Sequence, residues 1–210
     1  MRVLVFNGWA AGPEAWTLTT FPRDWVFDYI EQLDGLPERV MADFNEVILV
    51  GFSMGGSSAL RMLLRFPGKV RGLVLISTTP RMMEEKSTGW AGLSERRLAA
   101  LRLGTEMMFR DDPSPIYDPV NMDRGIEYLR TTDLRRPLLD FSKTFNAANR
   151  FPVRIFQSEK DGIVRPANAA FLKRVFPWAG VTIVPGNEHA LPIAVPEQID
   201  DSVRSALNVR

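Results

Sequence analysis

Three residue types needed for nucleophilic catalysis stand in a telling order in this chain: a serine between glycines in Gly51-Phe52-Ser53-Met54-Gly55, then Asp161, then the single histidine, His189. A serine hydroxyl becomes a nucleophile when a base takes its proton. An imidazole serves as that base when a carboxylate orients its ring and stabilises the imidazolium. The G-x-S-x-G pattern suits the nucleophile in a strand–turn–helix context, where a sharp, strained turn projects the hydroxyl and the glycines let neighbouring backbone pass without a Cβ clash. Here Val47-Ile48-Leu49-Val50 runs into the turn and the small residues Gly56-Ser57-Ser58-Ala59-Leu60 lead out of it. The following helix aims the positive end of its dipole at the site. Without those flanks, the five residues would read as an ordinary Gly/Ser turn.

His189 sits in Gly186-Asn187-Glu188-His189-Ala190, just after the last strand-like run, Val181–Val184. A lone histidine is commonly a core or surface residue, but its place behind the serine turn and a candidate acid favours the base. The acid is Asp161 in Ser158-Glu159-Lys160-Asp161-Gly162, the loop that ends the run Val153–Gln157. Asp-Gly is also a common turn pair, and Glu159 is a rival carboxylate. The chain order nucleophile, acid, base favours Asp161. Acyl transfer further needs two backbone N–H donors for the oxyanion, one from the residue after the nucleophile and one from the loop after the first strand. Met54 supplies the first, and Trp9 in Asn7-Gly8-Trp9-Ala10 is the candidate for the second. The Trp9 indole either floors an acyl pocket or packs in the core.

These residues need a scaffold, and the chain describes one. Apolar, β-branched runs recur at Val3–Phe6, Trp25–Tyr29, Val47–Val50, Leu73–Ile76, Val153–Phe156 and Val181–Val184, which read as buried strands. Helix-like stretches such as Ser57–Arg65 and Ala167–Val175 lie between several of them, and that alternation implies a largely parallel sheet with helices on both faces, an α/β fold. From about Pro80 to Arg150 the alternation breaks. Helical patterns at Ser94–Met108 and Asn121–Leu129, with Asn121 as an N-cap and Met122, Ile126 and Leu129 on one face, make residues 80–150 a helical insertion into a core of residues 1–79 and 151–210. Pro113-Ser114-Pro115 and Asp118-Pro119 mark a loop within it.

Composition narrows the function classes. With 210 residues and 45% hydrophobic content, one compact domain with an insertion is expected. Lys and Arg number 26 against 25 Asp and Glu, so no global charge calls for nucleic acid or an anionic membrane as partner. The absence of cysteine and the single histidine argue against a disulfide framework and a zinc site of ordinary ligands. The apolar run at Val3–Phe6 is too short for a signal peptide or a spanning helix, so a cytoplasmic protein is expected.

Taken together, Gly8-Trp9 after the first strand, Gly51 to Gly56, Phe66-Pro67-Gly68-Lys69-Val70-Arg71-Gly72-Leu73-Val74-Leu75 and above all Gly125-Ile126-Glu127-Tyr128-Leu129-Arg130-Thr131-Thr132-Asp133-Leu134-Arg135-Arg136-Pro137-Leu138 resemble the pimeloyl-[acyl-carrier protein] methyl ester carboxylesterases of biotin synthesis, within the α/β hydrolases. The resemblance implies the α/β-hydrolase fold with residues 80–150 as a helical lid. It puts the nucleophile on Ser53, the acid on Asp161, the base on His189 and the oxyanion donors on Trp9 and Met54. It also implies a serine carboxylesterase that needs no cofactor or metal and acts on an acyl ester, free or on an acyl carrier protein. Two departures stand out: the usual His-Gly is Asn7-Gly8 and the glycine after Trp9 is Ala10. The chain also begins at what resembles the third strand of that fold.

The same residues admit a thioesterase, a lactonase or a general carboxylesterase, or a non-catalytic binding protein on the same fold. The joint presence of Ser53, Asp161 and His189 argues against the last. The lid is rich in methionines and arginines. Arg96, Arg97 and Arg102 are candidates to dock an acidic carrier, and the alternative is a solvated helix face, because nearby acidic residues nearly balance them.

Overall fold

The computed structural model describes residues 1–81, 118–145 and 150–208. The helix expected over Ser94–Met108, and Arg96, Arg97 and Arg102 with it, lie outside the described residues. Six strands, β1 (Arg2–Phe6), β2 (Trp25–Phe27), β3 (Val47–Phe52), β4 (Val70–Ile76), β5 (Val153–Ser158) and β6 (Gly180–Val184), form one sheet in the order β2-β1-β3-β4-β5-β6. Every neighbouring pair is parallel. The described helices are α1 (Tyr29–Leu33), α2 (Leu36–Asp43), α3 (Met54–Arg65), α4 (Pro119–Thr131), α5 (Arg135–Thr144), α6 (Ala167–Val175), α7 (Leu191–Ala194) and α8 (Pro196–Leu207).

Because side chains alternate across a strand, the unbroken apolar runs of the central strands feed two cores at once. Leu4, Phe6, Leu49, Leu73, Leu75 and Ile155 pack on one face with α3 and α6. Val3, Val5, Ile48, Val50, Val74 and Ile76 pack on the other with Ile199 and Val203 of α8 and with Trp16. This is the expected α/β architecture with both faces covered. At the edges the expectation of buried strands fails. Along β6, Val181 and Ile183 are 38% and 50% exposed, since an edge strand has a neighbour on one side only. The run expected to reach Tyr29 ends at Phe27, because Asp28 caps α1 in a capping box with Glu31.

The connection from β4 to β5 carries α4 and α5. The expected apolar face of α4 is present, with Met122, Ile126 and Leu129 all buried. Its start differs from expectation: Asp118, not Asn121, is the N-cap, accepting the N–H groups of Val120 and Asn121, and Pro119 opens the helix. A short carboxylate before a proline is a strong start signal, because the proline lacks an N–H that a first turn would leave unpaired in any case. In α5, Pro137 likewise lies in the first turn, where its missing N–H removes no helix hydrogen bond. Among the described residues, no helix is long and apolar enough to cross a membrane.

In an all-parallel sheet the carboxyl ends of all strands share one edge, so the loops after β1, β3, β4, β5 and β6 meet there. Elsewhere, α8 is tied to the segment after Trp16 by Asp200. Its buried carboxylate accepts the Thr20 N–H at 2.8 and 2.9 Å, the Phe21 N–H at 3.2 Å and the Thr20 hydroxyl. Arg204 donates to the Thr20 carbonyl at 2.7 Å. Replacing Asp200 with alanine strands the buried Phe21 N–H and should lower unfolding stability by about 2 kcal/mol in urea titration with an unchanged slope. A loss below about 0.5 kcal/mol would mean that other contacts hold α8 in place.

Candidate active site

The turn between β3 and α3 is built by close approach. Ser53 adopts φ 53° and ψ −119°, a conformation that side-chain-bearing residues rarely take, and its N–H extends the ladder to the Ile76 carbonyl at 2.9 Å. A Cβ on Gly51 would lie 2.5 Å from the Gly56 Cα, and one on Gly55 would overlap the Phe6 carbonyl. A Cβ on Gly56 would collide with the Thr78 side chain. The glycines therefore let α3 start directly against the ends of β1 and β4 while the Ser53 side chain faces the other way. The loop after β1 also passes near, though less tightly: a Cβ on Gly8 would sit 3.2 Å from the Ser53 Cβ.

Ser53 and His189 meet across the edge. His189 Nε2 lies 3.0 Å from Ser53 Oγ, and His189 Nδ1 lies 2.9 Å from Asp161 Oδ2. With Nδ1–H donating to the carboxylate, Nε2 presents its lone pair to the serine hydroxyl, the tautomer a general base needs. The Asp161 side chain is fully buried, and its burial is compensated by further donors. Oδ1 accepts the N–H groups of Ile163 at 2.8 Å and Val164 at 2.9 Å, and Oδ2 accepts Gln157 Nε2 at 3.1 Å. Glu159, the rival carboxylate, is exposed and turned to solvent.

The histidine loop is pinned from beneath by two hydroxyls. Ser77 Oγ donates to the His189 carbonyl at 2.9 Å and Ser158 Oγ donates to the Glu188 carbonyl. The Lys160 N–H adds a bond to the Gly186 carbonyl at 2.8 Å, so the acid loop and the base loop are stitched to each other. The Phe52 ring lies 5.3 Å from the imidazole, centroid to centroid. Gln157, Ser77 and Ser158 were not singled out from the sequence. Ser77 and Ser158 act through partners distant in the chain and Gln157 across the acid loop, and only their strand-end positions hint at a role.

Beside Ser53 and His189 lies a cavity of about 230 Å³ lined by Gly8, Trp9, Ala10, Phe52, Leu129 and Ile163. The two uses weighed for the Trp9 indole turn out to be compatible. It lines this cavity and also packs beneath α4, where its Nε1–H donates to the Met122 carbonyl at 3.3 Å and a Cβ on Gly125 would press on its ring. Trp9 follows Gly8 in the loop against Ser53, and Met54 opens α3, where first-turn N–H groups have no partner within the helix. Asn7, at the position of the usual histidine, is buried and accepts the Trp16 indole N–H on its side chain, while its carbonyl accepts Gln32 Nε2 at 2.9 Å. Ala10 holds φ 53°, a backbone that suits glycine better. Among the described residues, no group of His, Asp and Glu side chains is arranged to hold a metal. A hydroxyl, an imidazole and a buried carboxyl group in series beside an apolar cavity can transfer an acyl group.

Comparison with known proteins shows the family. The model of the alpha/beta hydrolase family matches residues 3–201. A protein of Yersinia enterocolitica named pimeloyl-[acyl-carrier protein] methyl ester esterase is 28% identical over 184 residues, 76% of this chain and 68% of the relative. One of the same name from Serratia marcescens is 25% identical, over 93% of this chain and 89% of its own. Among solved structures, a hydrolase from Oleispira antarctica superposes with a TM-score of 0.71 at 17% identity, covering 99% of this chain and 91% of the other. The chain is a hydrolase and belongs to the α/β hydrolase family.

Proposed function

We propose that the protein is a serine carboxylesterase in which Ser53 is the nucleophile, His189 the general base and acid, and Asp161 the group that orients His189. The observation that carries this reading is the bridge of His189 between Ser53 Oγ at 3.0 Å and Asp161 Oδ2 at 2.9 Å, at the mouth of an apolar cavity. Ser53 Oγ attacks the ester carbonyl carbon as its proton passes to His189 Nε2. The tetrahedral oxyanion is held by the N–H groups of Trp9 and Met54. Collapse breaks the C–O bond, and His189 returns the proton to the departing alkoxide, which leaves as alcohol. Water, deprotonated by His189, then attacks the acyl-serine, and the carboxylic acid departs.

For substrate we propose a methyl ester of a dicarboxylate-derived acyl chain carried on an acyl carrier protein. Support comes from the names of the relatives in Yersinia and Serratia and from the cavity, whose walls are apolar except at Ser53 and His189. Of the segment proposed as a lid, Leu129 of α4 reaches the cavity wall.

Ser53→Ala should lower kcat for any ester the wild type cleaves by about 10⁴-fold or more while leaving the unfolding midpoint nearly unchanged. Activity above a few per cent of wild type would refute the nucleophile. Asp161→Asn should keep the fold and KM but cut kcat by about 10³-fold, because an amide at this position favours the wrong imidazole tautomer. A rate within tenfold of wild type would remove Asp161 from the reading. The substrate proposal is tested by comparing kcat/KM for a methyl pimelate ester on the carrier with that for the free methyl ester. A strong preference for the carrier-bound form is expected, and equal values would leave a general carboxylesterase.

A further inference from the structure

Gly125, the first residue of the stretch that most resembles the esterases, stands midway along α4. Glycine inside a helix weakens it relative to alanine, because more backbone freedom is lost on folding, so the packing around this residue must use its missing side chain. Trp9 does so. A Cβ at position 125 would overlap the Trp9 Cδ1 and lie 2.7 Å from its Nε1. The indole therefore rests on bare helix backbone, where its N–H donates to the Met122 carbonyl at 3.3 Å. The same indole lines the cavity beside Ser53. From this contact we propose that Gly125 is a positioning residue for acyl-chain length: by giving the Trp9 ring room against α4, it keeps that ring out of the space into which the acyl chain extends. The inference rests on the ester cleavage proposed above.

Ring and helix cannot both keep their places if a methyl group is added at position 125, and the helix is the better fastened of the two. Met122, Ile126 and Leu129 of α4 are buried, and Arg124 pairs with Asp34. The Tyr128 hydroxyl lies 3.3 Å from Ser58 Oγ of α3, and the Arg61 guanidinium lies over the Tyr128 ring at 5.3 Å. Tyr29, fully buried, closes another side, its Cδ2 standing 3.2 Å from the same added Cβ. Dense packing passes a displacement on rather than absorbing it, and the open side of the indole is the cavity, with Leu129, one turn further along α4, in the same wall. The backbone of the loop is held independently of the ring. The Asn7 carbonyl accepts Gln32 Nε2 at 2.9 Å, and the Ala11 N–H donates to the Gly8 carbonyl at 3.3 Å. A displaced indole thus shortens the cavity while the Trp9 N–H and the hydroxyl of Ser53 stay where they are.

The test measures kcat/KM of the full-length protein on free p-nitrophenyl esters from acetate to octanoate. In Gly125→Ala the octanoate-to-acetate ratio should fall about tenfold or more below that of the wild type, with acetate itself kept within about threefold. That retained acetate turnover also shows that the variant is folded. Trp9→Leu, which trims the ring and keeps the backbone N–H, should raise the ratio on its own. Combined with Gly125→Ala it should restore at least the wild-type ratio, a rescue that a general loosening of α4 would not give. An unchanged ratio in Gly125→Ala, an equal loss on both esters, or a double variant no better than Gly125→Ala alone would overturn the inference. Should Gly125→Ala fail to fold, an unchanged ratio in Trp9→Leu would overturn it as well. A wild type inert on every ester would refute ester hydrolysis itself, whereas an active wild type with these variants unshifted refutes only the role of Gly125.

Discussion

The arrangement at the carboxyl edge of the sheet depends on one steric constraint: α3 starts so close to β1 and β4 that no Cβ fits at Gly51, Gly55 or Gly56. That approach forces the chain to reverse within a single residue, and Ser53 takes the strained φ of 53° that results. The strain is local and costs of the order of 1–3 kcal/mol, a cost the packed sheet beneath it can bear. What it gains is position. The hydroxyl stands clear of the backbone, 8% exposed at residue level, with the first turn of α3 at its back and the Gly8 loop at its side. That placement sets Ser53 Oγ 3.0 Å from His189 Nε2.

The second requirement is a buried charge that stays put. Asp161 is deep enough that its carboxylate would be costly without donors, and three N–H groups besides the imidazole meet it. Two of those donors belong to the backbone of the acid loop itself, so the loop that carries the carboxylate also folds around it. The imidazole is then fixed from the opposite side through its main chain, by Ser77 from the end of β4 and by the Leu191 N–H at 2.9 Å from the start of α7. Asp161 and His189 are thus each held by several groups besides one another, the kind of support that fixes the geometry of a site.

Much of this was legible in the sequence because the informative signals were local. The parallel sheet followed from apolar runs such as Val47–Val50, and the serine turn from glycines whose spacing survives in five letters. His189 and Asp161 were found by their order along the chain and their place after strands, not by any feature of their own. What escaped was non-local or depended on the edge of an element. Ser77 and Ser158 act through partners 112 and 30 residues away, separations that leave no pattern, and Gln157 sits at a strand end whose side-chain direction the apolar run does not reveal. The end of β2 at Phe27 turned on a capping box at Asp28, and the start of α4 on the Asp118-Pro119 pair that reads as loop.

The claim at the centre of this account is that Ser53 is activated by His189, and covalent labelling reads it most directly. Incubated with a fluorophosphonate, the protein should gain the mass of one adduct per chain, and peptide mapping should place that adduct on the Ser53 peptide. The same treatment of His189→Ala should leave Ser53 essentially unlabelled, since the hydroxyl then lacks the base that makes it reactive. No adduct on the wild type, an adduct on a different serine, or equal labelling of Ser53 without His189 would contradict the account.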